Sequence, residues 1–559
     1  MPTRFVHPTH ILSDNSIVRI PNHLSRGFLD AAIILVLALL ANAGHFAIRQ
    51  GRHVICADSV QYVDGARTIL GESTSAHFGF RKPGYSVILA ATYLLFGNMS
   101  WGAVVVNYLA QTLLALVVYA LGRQLHSRLA GWLAAILIIA QLQISVRAER
   151  IMSEVCYATI IATAFWLIAR AWRKSPGPIV SDSPNSVPPS RGDYRGITQH
   201  PNSPPVSAHS YSWTWVPLCG IAMGFAWFIR SAATAPILAT LICLFWHERR
   251  NGRWIKWTIA FLLPLAGFVL LECGLNHHFV GRFKPGTGTL GPSLLLRMRA
   301  FLGVPFPETE ATQKCLSLLP ERNKCNAYIA HKLDTWVAWH RALHDHGMDD
   351  WEFDRVTARA SWEMIAVNSR PYLTSSAEIF ARYLLRRDDG PRLDQVPDDW
   401  HQPCLMPVDI VDSKENQEHW YKYWTLPKRD SPDARNLTGQ MLTDADEKAP
   451  FGDGALFANL RYICMTPAVH DVLGILRDIA RLWPGFALLG CGLLGLNRRL
   501  CAALALTYTL DAIMVALMAS DATDLVRYRY AWVGTDSTLA AAMIASIFHA
   551  LRHRSTSHS

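Results

Sequence analysis

The stretch Phe28–Ile48, "FLDAAIILVLALLANAGHFAI", decides the class of this protein. It carries one carboxylate, Asp30, with Asn42 and His45 as its other polar side chains, and is mostly apolar over the roughly 20 residues that a helix needs to cross a bilayer. Within it, "ANA" at Ala41–Ala43 resembles a signal-peptidase site. The apolar run continues past that point to Ile48, so the segment reads as an uncleaved span.

Working outward, similar runs recur near Trp101–Leu121, Leu129–Ile144, Ser153–Ala171, Trp213–Phe228, Ala232–Trp246 and Trp257–Leu275. After a long polar region three more follow, near Leu482–Leu496, Leu500–Ala519 and Ala531–Leu551. The bulk numbers agree with about ten transmembrane helices. Of 559 residues, 51% are hydrophobic and 17% charged, against roughly 25% charged in soluble domains.

The net charge of +10 would raise nucleic-acid binding in a soluble protein. Here the cations stand in short clusters between apolar runs, and no nucleic-acid partner is expected. Arg4, Arg19 and Arg26 precede the first span, and Arg123 and Arg128 follow the second. Arg170, Arg173 and Lys174 follow the fourth, and Arg249, Arg250, Arg253 and Lys256 the sixth. Arg498 and Arg499 follow the eighth, and Arg552 and Arg554 the tenth. All fall on one side if both termini are cytoplasmic, which is what the positive-inside rule requires.

This topology divides the chain. Residues 1–27 form a cytoplasmic N-terminus and 28–275 a membrane domain with a first outer loop at 50–100. Within it, 175–211 is a cytoplasmic connector whose eight prolines and many serines, as in "SPGPIVSDSPNSVPPSRG", predict disorder. Residues 276–481 are long enough for a separate, mainly helical extracytoplasmic domain. Residues 482–551 are C-terminal membrane helices and 552–559 a cytoplasmic tail. In the outer domain, "ARASWEMIAVNSRPYLTSSAEIFARYLLR" reads as two helices broken at Arg370-Pro371, with apolar faces that predict packing on the membrane domain.

Of eleven cysteines, Cys315, Cys325, Cys404 and Cys464 fall in that outer domain, where two disulfides are conceivable and the pairing is open. No C-x-x-C pair exists, which argues against a zinc ribbon or thioredoxin-like site.

The chemistry concentrates on the outer face. In "ICADSVQYVDGARTILG", Asp58 and Tyr62 share a helix face continued by Ala66 and Ile69, while Asp64 lies on another. The segment predicts an amphipathic surface helix, in which Asp58 also complements the macrodipole. In "FGFRKPGY", Pro83 disfavours helix at Lys82, and the chain turns back to the bilayer with Arg81 and Lys82 at the interface. Snorkelling would explain two such cations; a phosphate cradle would explain them as well. Tyr85 closes the turn. "RAERIMSE" adds Glu149 and Glu154, "FAWFIRSAATAP" adds Arg230, and "DATDLVRYRYAW" adds Arg527 and Arg529. Ionisable groups at membrane depth are costly and mark functional sites. An acid beside a phosphate cradle is what transfer from a lipid phosphate requires.

The order of these motifs resembles the GT-C glycosyltransferases. A span is followed by D-x3-Y-x3-A (Asp58, Tyr62, Ala66), then R-x-P-G-Y (Arg81, Pro83, Gly84, Tyr85), then the acid of "MSE", an arginine ending the fifth span, and "RYRY". The nearest branch is the bacterial one related to protein O-mannosyltransferases and lipid A aminoarabinose transferase. The resemblance covers about Phe28–Lys284 and resumes near Leu482. It implies an all-α GT-C membrane fold and inverting transfer of a sugar from a polyprenyl-phosphate donor to an extracytoplasmic acceptor. Membrane lipids would surround the enzyme, in a bacterial inner membrane, with the site facing outward. By resemblance, Asp58 is the first-loop catalytic acid and Glu154 the second. Tyr62, Arg81, Lys82, Tyr85, Glu149, Arg230, Arg527 and Arg529 are the substrate-binding set. The chain departs from the family's basic-Pro-Pro-Gly turn, with Lys82 in place of the first proline.

Some relatives use a divalent metal ion, which remains possible here. "WHRALHDHGMDD" places His340 and His344 at i, i+4 with His346 and Asp349 nearby, a spacing that suits zinc. A solvated helix end is the preferred reading of it, as a plain interfacial role is of His277 and His278. No P-loop, dinucleotide fingerprint or serine-hydrolase elbow occurs. The rival reading is a flippase, transporter, ligase or polymerase of lipid-linked saccharides. A transporter should concentrate charge at the midplane, where Glu272 and Asp511 are the exceptions to an apolar pattern.

Overall fold

The computed structural model describes residues 22–48, 57–72, 78, 81–97, 99–140, 148, 152–172, 214–249, 252–286, 289–298, 302, 304, 306–318, 342, 345–385, 498–518 and 532–556. All regular structure among them is helical. The helices are α1 (Asn22–Ile48), α2 (Ala57–Ile69), α3 (Pro83–Phe96), α4 (Met99–Leu125), α5 (Arg128–Ala140), α6 (Glu154–Trp172), α7 (Trp215–Ile229) and α8 (Thr234–Glu248). They continue with α9 (Trp254–Val280), α10 (Leu290–Leu296), α11 (Glu310–Leu318), α12 (Asp350–Val367), α13 (Ser369–Leu385), α14 (Arg498–Met518) and α15 (Val533–Thr556).

Five helices carry stretches long and apolar enough to cross a membrane: Arg26–Phe46, Gly102–Leu125, Glu154–Trp172, Trp254–Val280 and Arg499–Met518. Three shorter apolar helices, α3, α5 and α7, pack among them. The chain is an integral membrane protein. Their outer faces stay apolar, as Leu37, Leu40, Leu109, Leu113, Ile259 and Leu263 show, because lipid tails ask for no polar groups. The expected span at 482–496, the connector at 175–211 and most of the expected outer domain lie outside the described residues.

The core follows from small residues. On α7, a Cβ at Gly220 would stand 2.3 Å from the Phe261 carbonyl oxygen, so only glycine lets α7 and α9 approach this closely. Ala110, Leu114, Ala115 and Val118 of α4 bury against Ala158, Ile161, Ala162 and Phe165 of α6 in the same cluster.

Side-chain pairs establish two ends of the bundle. At one end, Asp30 of α1 accepts from Arg128 at 2.6 and 2.7 Å and from Tyr119. Glu248 of α8 pairs with Arg499 of α14 at 3.7 Å, the rings of Trp172 and His247 meet at 5.7 Å, and those of His126 and His549 at 6.4 Å. At the other end, Asn42 of α1 reaches Thr112 of α4 at 3.0 Å, Asn107 reaches the Ala148 carbonyl at 3.3 Å, and Asp511 of α14 accepts from Trp532 at 2.6 Å. The described basic span ends, with Arg123, Arg128, Arg170, Arg249, Arg253 and Arg499, belong to the first end. Of the predicted outer motifs, the described residues Tyr62, Arg81, Tyr85, Glu154 and Arg230 belong to the second.

The "RKPGY" turn opens the short apolar helix α3, which lies antiparallel to the first half of α4, with Tyr85 at Asn107 and Thr92 at Gly102. α3 then ends at Gly97, whose N–H caps the Tyr93 carbonyl, and its Leu94, Leu95 and Phe96 are exposed. The helix break predicted at Arg370-Pro371 falls instead at Asn368, and Pro371 sits in the first turn of α13, where its missing N–H costs nothing.

The helices α10–α13 pack at the second end. Ile379 and Tyr383 of α13 bury with Ala512, Val515 and Ala516 of α14, which is the predicted contact with the membrane bundle. α12 begins at Asp349, whose carboxylate accepts from the Glu352 N–H at 2.8 Å.

Candidate functional site

The second end gathers residues from four separated segments. α2 brings Tyr62, one helical turn after Asp58, which stands in the first turn of that helix. The Tyr62 hydroxyl lies 3.0 Å from Ser153 Oγ, and its ring meets Tyr85 edge-on at 5.0 Å. Tyr85 donates to Asn107 at 3.4 Å, and Ser86 donates to the Tyr62 carbonyl at 2.9 Å. Through these contacts α2 is fastened to α3 and to the start of α6.

Glu154 is the first residue of α6, where the exposed N–H groups of a helix favour an anion. Arg230 caps the C-terminus of α7 in extended conformation, where the last carbonyls favour a cation. The two side chains meet at 3.1 Å, with Glu154 2% and Arg230 17% exposed. The guanidinium also stands 5.9 Å from the Tyr157 ring. Each charge is stabilised by its own helix and by the other.

The cations of the RKPG turn part company. Arg81 donates to Gln61 of α2 at 2.6 Å and is half-buried. Lys82 is not the interfacial lysine expected: it is buried, and its Nζ lies 2.6 and 2.7 Å from the two oxygens of Glu272. Burial pushes the Lys82 ammonium below its ordinary value, and the Glu272 carboxylate opposes that shift. The ammonium also lies 4.0 Å over the Trp227 ring. Next along the chain, a Cβ at Gly84 would stand 2.6 Å from the Phe228 carbonyl oxygen. The turn is thus pressed onto the end of α7, close to Arg230.

Tyr62, Tyr85, Glu154 and Arg230 are therefore brought together, with Arg81 bonded to Gln61 of the helix that carries Tyr62. Glu149, Arg527 and Arg529 lie outside the described residues. Sequence reading passed over Ser153, Asn107 and Trp227, whose types carry no signal of their own. Glu272 did carry one, as an acid inside an apolar run. Glu272 and Asp511 both lie toward the second end, where Asp511 accepts from Trp532 and Tyr383.

Among the described residues no three metal-ligating side chains stand together. Among the described acids near the site, Glu154 and Glu272 each hold a cation. Asp349 of the expected histidine cluster caps α12 and pairs with Arg282 at 2.6 Å; His340 and His344 lie outside the described residues. Cys315 is buried beside α12, and Cys325, Cys404 and Cys464 lie outside the described residues.

No protein-family model matches the chain, and no curated protein matches it. Among solved structures it is similar to ArnT from Cupriavidus metallidurans bound to undecaprenyl phosphate, with 12% identity, a TM-score of 0.32, and coverage of 93% of this chain and 78% of that one. It is also similar to the oligosaccharyltransferase of Archaeoglobus fulgidus in the apo form, with 13% identity, a TM-score of 0.37, and coverage of 97% and 52%. The same archaeal enzyme in complex with an inhibitory peptide and a dolichol-phosphate gives 11% identity and a TM-score of 0.37.

Proposed function

We propose that this protein is an inverting GT-C glycosyltransferase that moves a sugar from a polyprenyl-phosphate donor to an extracytoplasmic acceptor. One observation carries the reading. Three outer segments distant in sequence deliver Tyr62, Glu154 and Arg230 to one end of a helix bundle, beside the helix that bears Asp58 and the turn that bears Arg81.

In this reading Asp58 is the general base toward the acceptor hydroxyl. The acceptor oxygen attacks the anomeric carbon in line, the bond to the phosphate oxygen breaks, and the configuration inverts. A lipid phosphate leaves without a proton if its charge is met, and Arg81, Arg230, Arg527 and Arg529 would meet it. Glu154 holds Arg230 in place and, with Tyr62 and Tyr85, shapes the wall. Glu149 belongs to the same segment. No step is assigned to a metal ion.

The positive-inside rule then sets the membrane arrangement. The basic end is cytoplasmic, both termini lie on that side, and about ten spans cross an inner membrane. Residues 276–481 form an extracytoplasmic domain over the site. The rival transporter reading asks for charge at the midplane. Among the buried acids, Asp30, Glu154, Glu248 and Glu272 sit toward the ends of the bundle, each against a cation, while Asp511 and Asp536 accept from aromatic donors, Tyr383 and Trp532 for the first and Tyr508 for the second.

The test is native mass spectrometry of the detergent-purified protein. A co-purifying polyprenyl-phosphate monosaccharide, enriched in Asp58→Asn, is the expected result. A polyprenyl-pyrophosphate oligosaccharide, or lipid transport that survives Asp58→Asn, overturns the proposal.

A further inference from the structure

Glu272 receives four donor contacts from three different parts of the chain. Lys82 Nζ reaches both of its oxygens at 2.6 and 2.7 Å. Trp227 Nε1 of α7 donates at 3.0 Å, and the Gly286 N–H donates at 2.9 Å. Gly286 ends the strap Arg282–Gly286, which leaves α9 after Gly281 and leads to α10. The same strap is held by Asn276 Nδ2 on the Lys284 carbonyl at 2.8 Å and by Arg282 on Asp349 of α12 at 2.6 Å. One carboxylate thus ties together the first outer loop, α7 and the approach to the outer helices.

The local electrostatics explain why it is needed. Lys82 occupies the N-cap position of α3, ahead of Pro83 at the first helical position. A cation there faces the positive end of the helix dipole, and it is also shut away from water. Lys82 and Glu272 are 3% and 0% exposed. An ammonium so placed persists only against a counter-charge with its remaining protons bonded. Glu272 supplies both, and Trp227 covers the pair from one side.

We infer that Glu272 is a positioning residue, and that Lys82 is its anchor rather than a ligand of the donor phosphate. The pair locks the turn that carries Arg81 onto the end of α7, beside Arg230, and so sets the spacing of the two arginines. The inference rests on the proposed lipid-phosphate donor for its consequence, but not for the lock itself.

The experiment uses the full-length protein in detergent, as wild type, Glu272→Gln, Lys82→Met and the double variant. Undecaprenyl phosphate is the probe, and its affinity is read by titration. Each single change strands a polar or charged partner in the interior and should weaken binding about tenfold or more. The double change removes both partners and should restore binding to within a few fold of wild type. Binding that is lost in Lys82→Met and equally lost in the double variant, but kept in Glu272→Gln, would make Lys82 a direct phosphate ligand and overturn the inference.

Amine labelling followed by peptide mapping tests the lock without any lipid. Lys82 should resist the reagent while the exposed Lys284 reacts, and Glu272→Gln should raise Lys82 labelling several fold. Equal labelling of the two lysines in the wild type would sink the lock. Should wild type fail to bind the probe while the labelling pattern holds, the donor assignment falls and the lock stands.

Discussion

At the scale of single residues, position on a helix determines what each charge can do. Glu154 and Arg230 are an ion pair built from two helix ends, so neither is available as a free acid or a free cation without disturbing the other. Glu154→Gln and Arg230→Gln should therefore show coupling of about 0.5–3 kcal/mol in a double-mutant cycle on donor affinity; additive effects would mean that the pair does not act as a unit. Asp58 has a different expected signature. As a general base, its change to Asn should reduce transfer about 100- to 10,000-fold with donor binding retained, measured by single-turnover transfer beside lipid titration. Gly84 is limited by space. Its Cβ would meet the backbone of Phe228 rather than a movable side chain, so Gly84→Ala should cost about 1–3 kcal/mol, visible as a lowered apparent melting temperature.

Among the helices, the last carbonyls of α14 show how the outer elements are joined to the membrane bundle. A helix C-terminus leaves carbonyls without partners inside the helix. Here Tyr372 of α13 donates to the Leu517 carbonyl at 2.7 Å, and the buried Arg297 donates to the Ala516 carbonyl and, at 2.7 Å, to Ser376. The guanidinium lies 4.6 Å over the Tyr372 ring. The outer helices thus cap the span after which the chain continues toward Arg527 and Arg529. Arg297→Met should lose about 1–3 kcal/mol by stranding those acceptors. Hydrogen exchange should then quicken in the last turn of α14 and in α13 while α4 and α6 keep their protection. Uniform quickening would mean that the cap serves the whole fold rather than this joint.

For the molecule as a whole, the arrangement has two chemically distinct ends, and the orientation follows from charge. Cysteine placed at Ser127, between α4 and α5, should be shielded from a membrane-impermeant thiol reagent in intact cells. Cysteine at Arg282 should react. The reverse pattern would invert the topology and move the site to the cytoplasm. The buried native cysteines, such as Cys156 and Cys219, should stay silent in this assay.

What the sequence by itself determined was the membrane class, the helical character and the grouping of Tyr62, Tyr85, Glu154 and Arg230. Apolar runs and cation clusters are local properties, and the bilayer imposes the same requirement on each run separately. Tyr62, Tyr85, Glu154 and Arg230 were legible for that reason: each marks a break in an apolar pattern at one predicted face. What only the tertiary structure decided was partnership. Lys82 and Glu272 are separated by most of the membrane domain in sequence, and each alone reads as an isolated charge. Only the seating of the start of α3 on the end of α7, within reach of Glu272 of α9, shows that they neutralise each other, which turns an expected phosphate ligand into an anchor. The seat of α3 was likewise decided by its neighbours: the contacts of Tyr85 with Asn107 and of Gly84 with Phe228 set it antiparallel along α4 and against the end of α7.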